Sequence, residues 1–169
     1  AVAPGGSVSL EHTRLRGSIT ADQAARIDVT SSNLARVSSS GALGAVTITD
    51  NTIGRIDVTR PDGAAYAFPV IITGNTGLSW VEIRSQNTAA PPFIVTGNEL
   101  TAYSDTITAR FIDAQLRPSD LTGNTIVGGK AGFFAYGGTL VENWTLPDSG
   151  PQVVFDSLTI ASGVTLTVP

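Results

Sequence analysis

A short pattern that recurs four times constrains the fold of this chain more than any other feature of its sequence. An aliphatic residue is followed by Thr, then by Gly or Asp, and then by Asn. The four copies are Ile48–Asn51, Ile72–Asn75, Val95–Asn98 and Leu121–Asn124. Gly and Asp tolerate the backbone of a tight bend, so each copy indicates a strand that ends in a turn. A repeat of this length cannot bury its apolar side alone, whereas stacked coils can, and the pattern therefore predicts a solenoid.

Two weaker copies flank the four, at Leu15–Ser18 and Val154–Ser157. Together the copies predict about six coils. Asn33 is not another copy on this alignment, because the polar residue Thr30 lies three positions before it, where every copy is aliphatic. We therefore place Asn33 in a loop.

The Asn residues at the fourth position are predicted to stack on one another at the inner bends of successive coils. A buried carboxamide has two donor hydrogens and an acceptor oxygen, so each one can bond to the neighbouring turns and to the next Asn. We expect a structural ladder formed by Asn51, Asn75, Asn98 and Asn124.

A second strand follows each turn, and its polar positions hold the strongest candidates for chemistry. The sequence Arg-Ile-Asp-Val-Thr at Arg26–Thr30 recurs at Arg55–Thr59, and Val81–Arg84 alternates in the same way. The acidic residues of these segments are predicted to share one outward position in successive coils. They are Asp28, Asp57 and Glu82.

Two hypotheses for this acidic column remain open. Carboxylates about 5 Å apart on stacked strands could bind Ca²⁺ or act as the acid pair of a retaining glycosidase. In that case Asp57 and Glu82 are the candidate catalytic residues. In the alternative, which we favour, Arg26 and Arg55 neutralise the column from two positions away on the same face, because unpaired like charges destabilise adjacent strands.

The unit hydrophobic-Thr-Gly-Asn-Thr-Ile, seen best at Leu121–Ile126, resembles the repeat of right-handed parallel β-helix proteins of the pectate-lyase-like and phage-tailspike-like class. The resemblance covers roughly residues 13–160. It implies an all-β, single-stranded right-handed parallel β-helix that forms one domain. Residues 1–12 would then be an N-terminal cap or arm, residues 13–136 the coils, and residues 137–169 the last coil and a C-terminal cap. A β-sandwich ranks second, since it would give turn signals without an Asn column in fixed phase.

The composition of the chain argues against several kinds of functional site and partner. There is no Cys, and the single histidine, His12, lies outside the repeats, so we expect no metal and no cofactor. A pI near 4.8 and scattered Arg residues argue against nucleic acid as a partner. No apolar run reaches the roughly 18 residues of a membrane span. The Gly-His-Gly and Asp-Asp motifs of the polygalacturonases, which share the resembled fold, are missing as well.

Four aromatic residues lie near one another toward the C-terminus, and they allow two interpretations. They are Phe133, Phe134, Tyr136 and Trp144. They could pack in the core and the cap, or they could form a subunit interface, where aromatic residues are enriched.

The sequence thus favours a non-catalytic structural or attachment protein over an enzyme. The resemblance to viral β-helices implies a virion component, either a capsid decoration or a tail protein, or else a cell-surface component. Such a protein would assemble as a homotrimer within a larger protein assembly, in the virion or outside the cell. The alternative is a carbohydrate-active enzyme or a glycan-binding β-helix fragment, with a surface glycan as its partner.

Overall fold

The computed structural model describes residues 1–42, 44–60, 68–85, 93–101, 109–128, 132–148 and 152–169. In these residues the chain is nearly all β, and its parallel strands stack into a β-solenoid of about seven turns. The predicted all-β parallel β-helix is therefore confirmed, with about one coil more than the repeats indicated.

Most strands are short because the chain bends after only a few residues on each wall of the solenoid. The strands in chain order are β1 (Ser7–Glu11), β2 (Arg14–Asp22), β3 (Arg26–Thr30), β4 (Asn33–Ser40), β5 (Val46–Thr49), β6 (Thr52–Arg60), β7 (Val70–Thr73), β8 (Trp80–Ser85), β9 (Phe93–Thr96), β10 (Glu99–Thr101), β11 (Ala109–Ile112), β12 (Gln115–Leu116), β13 (Thr125–Val127), β14 (Gly132–Tyr136), β15 (Thr139–Leu140), β16 (Trp144–Thr145), β17 (Gln152–Asp156), β18 (Thr159–Ile160) and β19 (Leu166–Thr167). A 3₁₀ helix, Pro118–Leu121, lies between β12 and β13.

Two long sheets form the main walls. A five-stranded sheet stacks β1, β3, β5, β7 and β9, and a seven-stranded sheet stacks β2, β4, β6, β8, β11, β14 and β17. Smaller sheets complete the C-terminal half, pairing β10 with β13, β12 with β15 and β18, and β16 with β19. The pairs are parallel because each coil returns to the same wall in the same direction.

The core consists of columns of apolar side chains that run along the solenoid axis. In β5, Val46 and Ile48 are buried, while the alternate threonines are only partly buried. The register places Val46 opposite Val70 and Ile48 opposite Ile72 in the next coil. Burial of these stacked columns is the main favourable contribution to the fold, and it requires no disulfide bond.

The two weak copies of the repeat were wrongly aligned. Leu15–Ser18 lies within β2, and Val154–Ser157 begins in β17, so both belong to the seven-stranded sheet and not to the ladder. Ser32 takes the ladder position in the second coil. Asn33, which we expected in a loop, is the first residue of β4. The prediction that Asn33 is not a copy of the repeat is thus confirmed, and the copy that ends at Ser32 was missed because a Ser oxygen takes the place of the Asn oxygen.

Both ends of the chain are part of the coil stack. Within residues 1–12, the predicted cap or arm, β1 pairs with β3 along the first edge of the five-stranded sheet. The backbone N–H of Val2 also donates to the carbonyl oxygen of Thr20, at 3.0 Å. At the other end, β15 to β19 continue the stack through the segment predicted as last coil and C-terminal cap.

Candidate functional site

The predicted Asn ladder is present, along the bends that follow the five-stranded sheet. Asn51, Asn75 and Asn98 are buried. The Oδ1 atom of Asn98 accepts hydrogen bonds from the backbone N–H and from the Nδ2 group of Asn75, both at 3.0 Å. The same Nδ2 group donates to the carbonyl oxygen of Ile48 in the preceding coil, at 2.8 Å. Each such carboxamide therefore ties three successive coils together.

The ladder extends beyond the four predicted residues toward the N-terminus. The backbone N–H of Ser32 donates to Asn51 Oδ1 at 2.8 Å, and Ser32 Oγ accepts the backbone N–H of Thr13 at 3.0 Å. Asn124 is the last member, and its Oδ1 accepts the backbone N–H of Asn98 at 3.0 Å. The ladder is therefore a continuous internal scaffold in which the side-chain amides of Asn51, Asn75 and Asn98 take no part in surface chemistry.

The residue before each ladder position has a positive φ angle. These residues are His12, Ser31, Asp50, Gly74, Gly97 and Gly123. Gly74 shows why this position favours Gly, because its φ of 67° lies in the left-handed region and a Cβ atom there would contact the Asp50 side chain of the preceding coil. The single histidine thus belongs to a bend, with its side chain exposed to solvent. The Gly-or-Asp position of the repeat is set by backbone geometry and close stacking.

The acidic column contains two of its three predicted members. Asp57 in β6 lies opposite Glu82 in β8. Asp28 does not belong to the column, because β3 is in the five-stranded sheet and Asp28 lies opposite Thr47 there. The repeated sequence occupies a different wall in each of its two copies, so the predicted stacking of Asp28 on Asp57 is wrong.

Asp57 is bound by arginines from two coils. Arg55 donates from Nε to Asp57 Oδ2 and from Nη2 to Asp57 Oδ1, both at 2.8 Å. Arg36, on the preceding strand, donates from Nε to the same Oδ2 atom at 2.8 Å. The hydrogen bond to Asp57 raises the pKa of Arg55 above its ordinary value. The Asp57 carboxylate therefore accepts hydrogen bonds from two arginines, Arg36 and Arg55.

Arginines also surround the other acids of these strands. Arg84 Nη2 lies 3.7 Å from Glu82 Oε1, and Arg110 Nη1 lies 3.9 Å from Glu82 Oε2. On the five-stranded sheet, Arg26 donates to Asp28 on its own strand. Within the described residues, no group of three or more His, Cys, Asp or Glu side chains is placed to hold a metal ion. The favoured hypothesis, that arginines two positions away neutralise the acids, agrees with this geometry.

The structure divides the aromatic group between the inside and the outside of the solenoid. Phe133 is in the core, where its ring stacks on Phe111 with centroids 6.1 Å apart, so it does not belong to the outer face of the sheet. Phe134 and Tyr136 lie on the other face of β14 and stack on each other at 6.5 Å. Trp144 packs edge-on against the ring of Phe155 at 5.8 Å.

A cleft of about 730 Å³ near the C-terminus is a feature that the sequence analysis did not predict. Leu121, Phe133, Trp144 and Val153 form its apolar part. Its polar residues are Ser119, Thr122, Asn124, Glu142, Asn143 and Thr145. Among the described strands, β13 pairs only with β10 and β16 only with β19, so strand pairing is interrupted where this cleft lies. We call it the C-terminal cleft.

A charged hydrogen bond joins the two coils that border the C-terminal cleft. The backbone N–H of Ser119 donates to Glu142 Oε2 at 3.0 Å, and this bond lowers the pKa of Glu142. Burial raises the pKa of the neighbouring residue Asp120. The ionised form of Glu142 is therefore the stronger acceptor in this link between the coils.

Glu142→Gln is expected to reduce the acid sensitivity of the fold. Because the folded-state pKa of Glu142 lies below its ordinary value of 4.5, its contribution to stability is present above that pH and is lost as the pH falls through the folded pKa. The loss of unfolding free energy between about pH 5 and pH 3 should thus be smaller in the variant. Urea denaturation at each pH measures it. Asp148→Asn, at an exposed site, is the matched control, and an equal change in both variants would contradict the role of Glu142.

No helix among the described residues has the length and apolar character needed to cross a membrane. No protein-family model matches the chain, and no curated protein or solved structure is significantly similar to it. The assignment to the parallel β-helix class rests on the stacked coils and on the buried Asn ladder.

Proposed function

We propose that this chain is a non-catalytic structural or attachment module that assembles as a homo-oligomer, with a trimer as the expected stoichiometry. Its place would be in a virion, as a capsid decoration or tail component, or on a cell surface. The observation that carries the proposal is that arginines neutralise the two carboxylates of Asp57 and Glu82. Asp57 and Glu82 are the best candidates for acid–base chemistry, and both face arginines of the same wall. A solenoid whose coils are joined by the Asn ladder, and whose outward acids are neutralised, has the properties expected of a rigid support.

The outer face of the seven-stranded sheet offers the surface for assembly. The guanidinium carbon of Arg110 lies 5.8 Å from the centroid of the Phe134 ring, which stacks on Tyr136. Val154 lies opposite Phe134 in the next strand, and its side chain is exposed. Aromatic residues and Arg are enriched in protein interfaces and supply much of their binding energy. We assign the subunit contact to this group, the outer aromatic patch: Arg110, Phe134, Tyr136 and Val154.

Light scattering of the purified chain tests this assignment. The wild type is expected to have the mass of a trimer, and the double variant Phe134→Ser with Tyr136→Ser the mass of a monomer, because the variant removes the apolar area that the contact would bury. Ile71→Ser is the matched control, since Ile71 lies on the outer side of the five-stranded sheet, and its mass should equal that of the wild type.

A wild-type chain that remains monomeric at high protein concentration would contradict the proposed assembly. The alternative, a glycan-binding or glycan-cleaving β-helix, draws support from the adjacent positions of Asp57 and Glu82 on a face that also carries Trp80. Binding of a glycan by the monomer that is lost in Asp57→Asn and in Glu82→Gln would favour that alternative.

A further inference from the structure

β13, which begins directly after the cleft residue Asn124, has an edge with open main-chain groups. The backbone N–H of Thr125 in β13 donates to the carbonyl oxygen of Asn98, at 2.9 Å. Neighbouring residues of a strand direct their N–H and C=O groups to opposite sides. Ile126 therefore directs its main-chain groups away from β10, to the side on which β13 has no strand partner among the described residues.

β16, whose residues Trp144 and Thr145 both line the cleft, has a second open edge. The backbone N–H of Trp144 donates to the carbonyl oxygen of Thr165 at 2.9 Å, and that of Leu146 to Thr167 at 3.0 Å. The residue between them, Thr145, therefore directs its N–H and C=O groups away from β19. Thr145 lines the C-terminal cleft, so its open main-chain groups border the same space.

The Asn ladder ends at this cleft with an unmatched donor. In each earlier coil the backbone N–H of the ladder residue donates to the side-chain oxygen of the next coil, as Asn98 does to Asn124. Asn124 follows the same positive-φ bend, at Gly123, as Asn98 does at Gly97, and Asn124 lines the cleft. Among the described residues, no side-chain oxygen occupies the next position. The cleft thus presents a main-chain donor placed for one more ladder oxygen.

The remaining walls suit an extended chain with one apolar side. Phe133 and Leu121 are buried beneath the cleft, and Trp144 and Val153 are partly buried beside them. Alternate residues of a strand point to opposite sides, so every second side chain could contact this apolar part while the others face solvent. Open edges of strands are the sites at which proteins add a peptide strand.

We propose that the C-terminal cleft binds a short extended peptide as an added strand between β13 and β16. The main chain of the peptide bonds to the open edges at Ile126 and Thr145. A side-chain oxygen of the peptide, from Asn, Asp, Ser or Thr, accepts the N–H of Asn124 and continues the ladder. The favoured peptide is therefore one with apolar alternate residues followed by such an oxygen, like a coil of this chain. This inference goes beyond the structural role proposed above and does not depend on it.

Peptide titration of the full chain tests the proposal. The probe is an acetylated peptide with the sequence of Val70–Asn75, Val-Ile-Ile-Thr-Gly-Asn, extended by two lysines for solubility. In a Trp80→Phe background, Trp144 is the only remaining tryptophan and reports on the cleft by its fluorescence. We expect saturable binding, slower hydrogen exchange at the Ile126 and Thr145 amides, and weaker binding when the final Asn of the peptide is Ala.

A pair of Val variants separates binding in the cleft from binding elsewhere. Val153→Phe fills the cleft and should weaken binding by about tenfold or more. Val168→Phe, at an exposed residue that neither lines the cleft nor belongs to the outer aromatic patch, should leave the affinity within about twofold of wild type. Circular dichroism of both variants verifies the fold, and filling a partly apolar cleft leaves a folded protein to test.

Three results would overturn the proposal. The first is no saturable binding of the peptide, and the second is equal binding by the two Val variants. The third is occupation by another ligand: a fluorescence change that appears with indole or a free sugar but not with the peptide assigns the cleft to a small molecule. A change that depends only on protein concentration assigns it to a second copy of the chain.

Discussion

Replacing Asn98 with Ala is expected to lower the free energy of unfolding by roughly 3 kcal/mol. Asn98 has no solvent exposure, and its Oδ1 accepts the backbone N–H of Asn75 at 3.0 Å. Its Nδ2 donates to Ile72 O at 2.9 Å and to Asn124 Oδ1 at 3.0 Å. Ala would leave several buried polar groups of both neighbouring coils without partners. Denaturation in guanidinium chloride, followed by circular dichroism, measures the loss.

Asn33→Ala is the matched control for this prediction. Asn33 is exposed at the start of β4, its backbone N–H donates to the carbonyl oxygen of Thr13 at 2.8 Å, and its side chain makes no hydrogen bond to another described residue. Its replacement should change the unfolding free energy by less than about 0.5 kcal/mol. Similar losses at the two sites would mean that the side-chain bonds of the ladder contribute little, and that the coils are held together by apolar stacking alone.

The ladder could be predicted from the sequence because few residue types satisfy the bend. The backbone before each ladder position has a positive φ, as at Gly74, and the next residue must supply a buried acceptor, as Asn75 does. These two requirements on adjacent residues, a positive φ and then a buried acceptor, produce a short pattern that can be recognised in the sequence. Ser32 was missed because its hydroxyl meets the second requirement with a residue type that is common elsewhere in the chain.

The assignment of strands to walls could not be predicted from alternation. Arg26–Thr30 and Arg55–Thr59 have the same sequence, yet the first forms β3 of the five-stranded sheet and the second lies within β6 of the seven-stranded sheet. The distance to the preceding bend decides the wall, since a ladder residue, Asn51, directly precedes β6. Side-chain pattern within a strand carries no information about that distance.

The C-terminal cleft could not be predicted from the sequence, for a different reason. It exists because β13 and β16 have separate partners, β10 and β19, among the described strands. The two neighbouring coils are still joined by the bond between Ser119 and Glu142, but β13 of the first and β16 of the second do not pair with each other. Local propensity and repeat spacing describe single coils, so they do not report a break in pairing between coils.

Replacing Phe111 with Ala is expected to lower the free energy of unfolding by about 3–5 kcal/mol, the largest effect of any single change considered for this chain. The ring of Phe111 is buried and stacks between Phe93, at a centroid distance of 4.7 Å, and Phe133, at 6.1 Å. It therefore joins the five-stranded sheet, which holds Phe93, to the seven-stranded sheet. Ala would leave a cavity between two walls that hydrogen bonds within each sheet keep in place, and thermal and chemical denaturation both measure the loss of stability.

Phe68→Ala, at an exposed aromatic residue, is the control and should lower the free energy of unfolding by less than about 0.5 kcal/mol. A loss below about 1 kcal/mol for Phe111→Ala would mean that the walls close over the missing ring, and the aromatic stack would then fill space without holding the two sheets together.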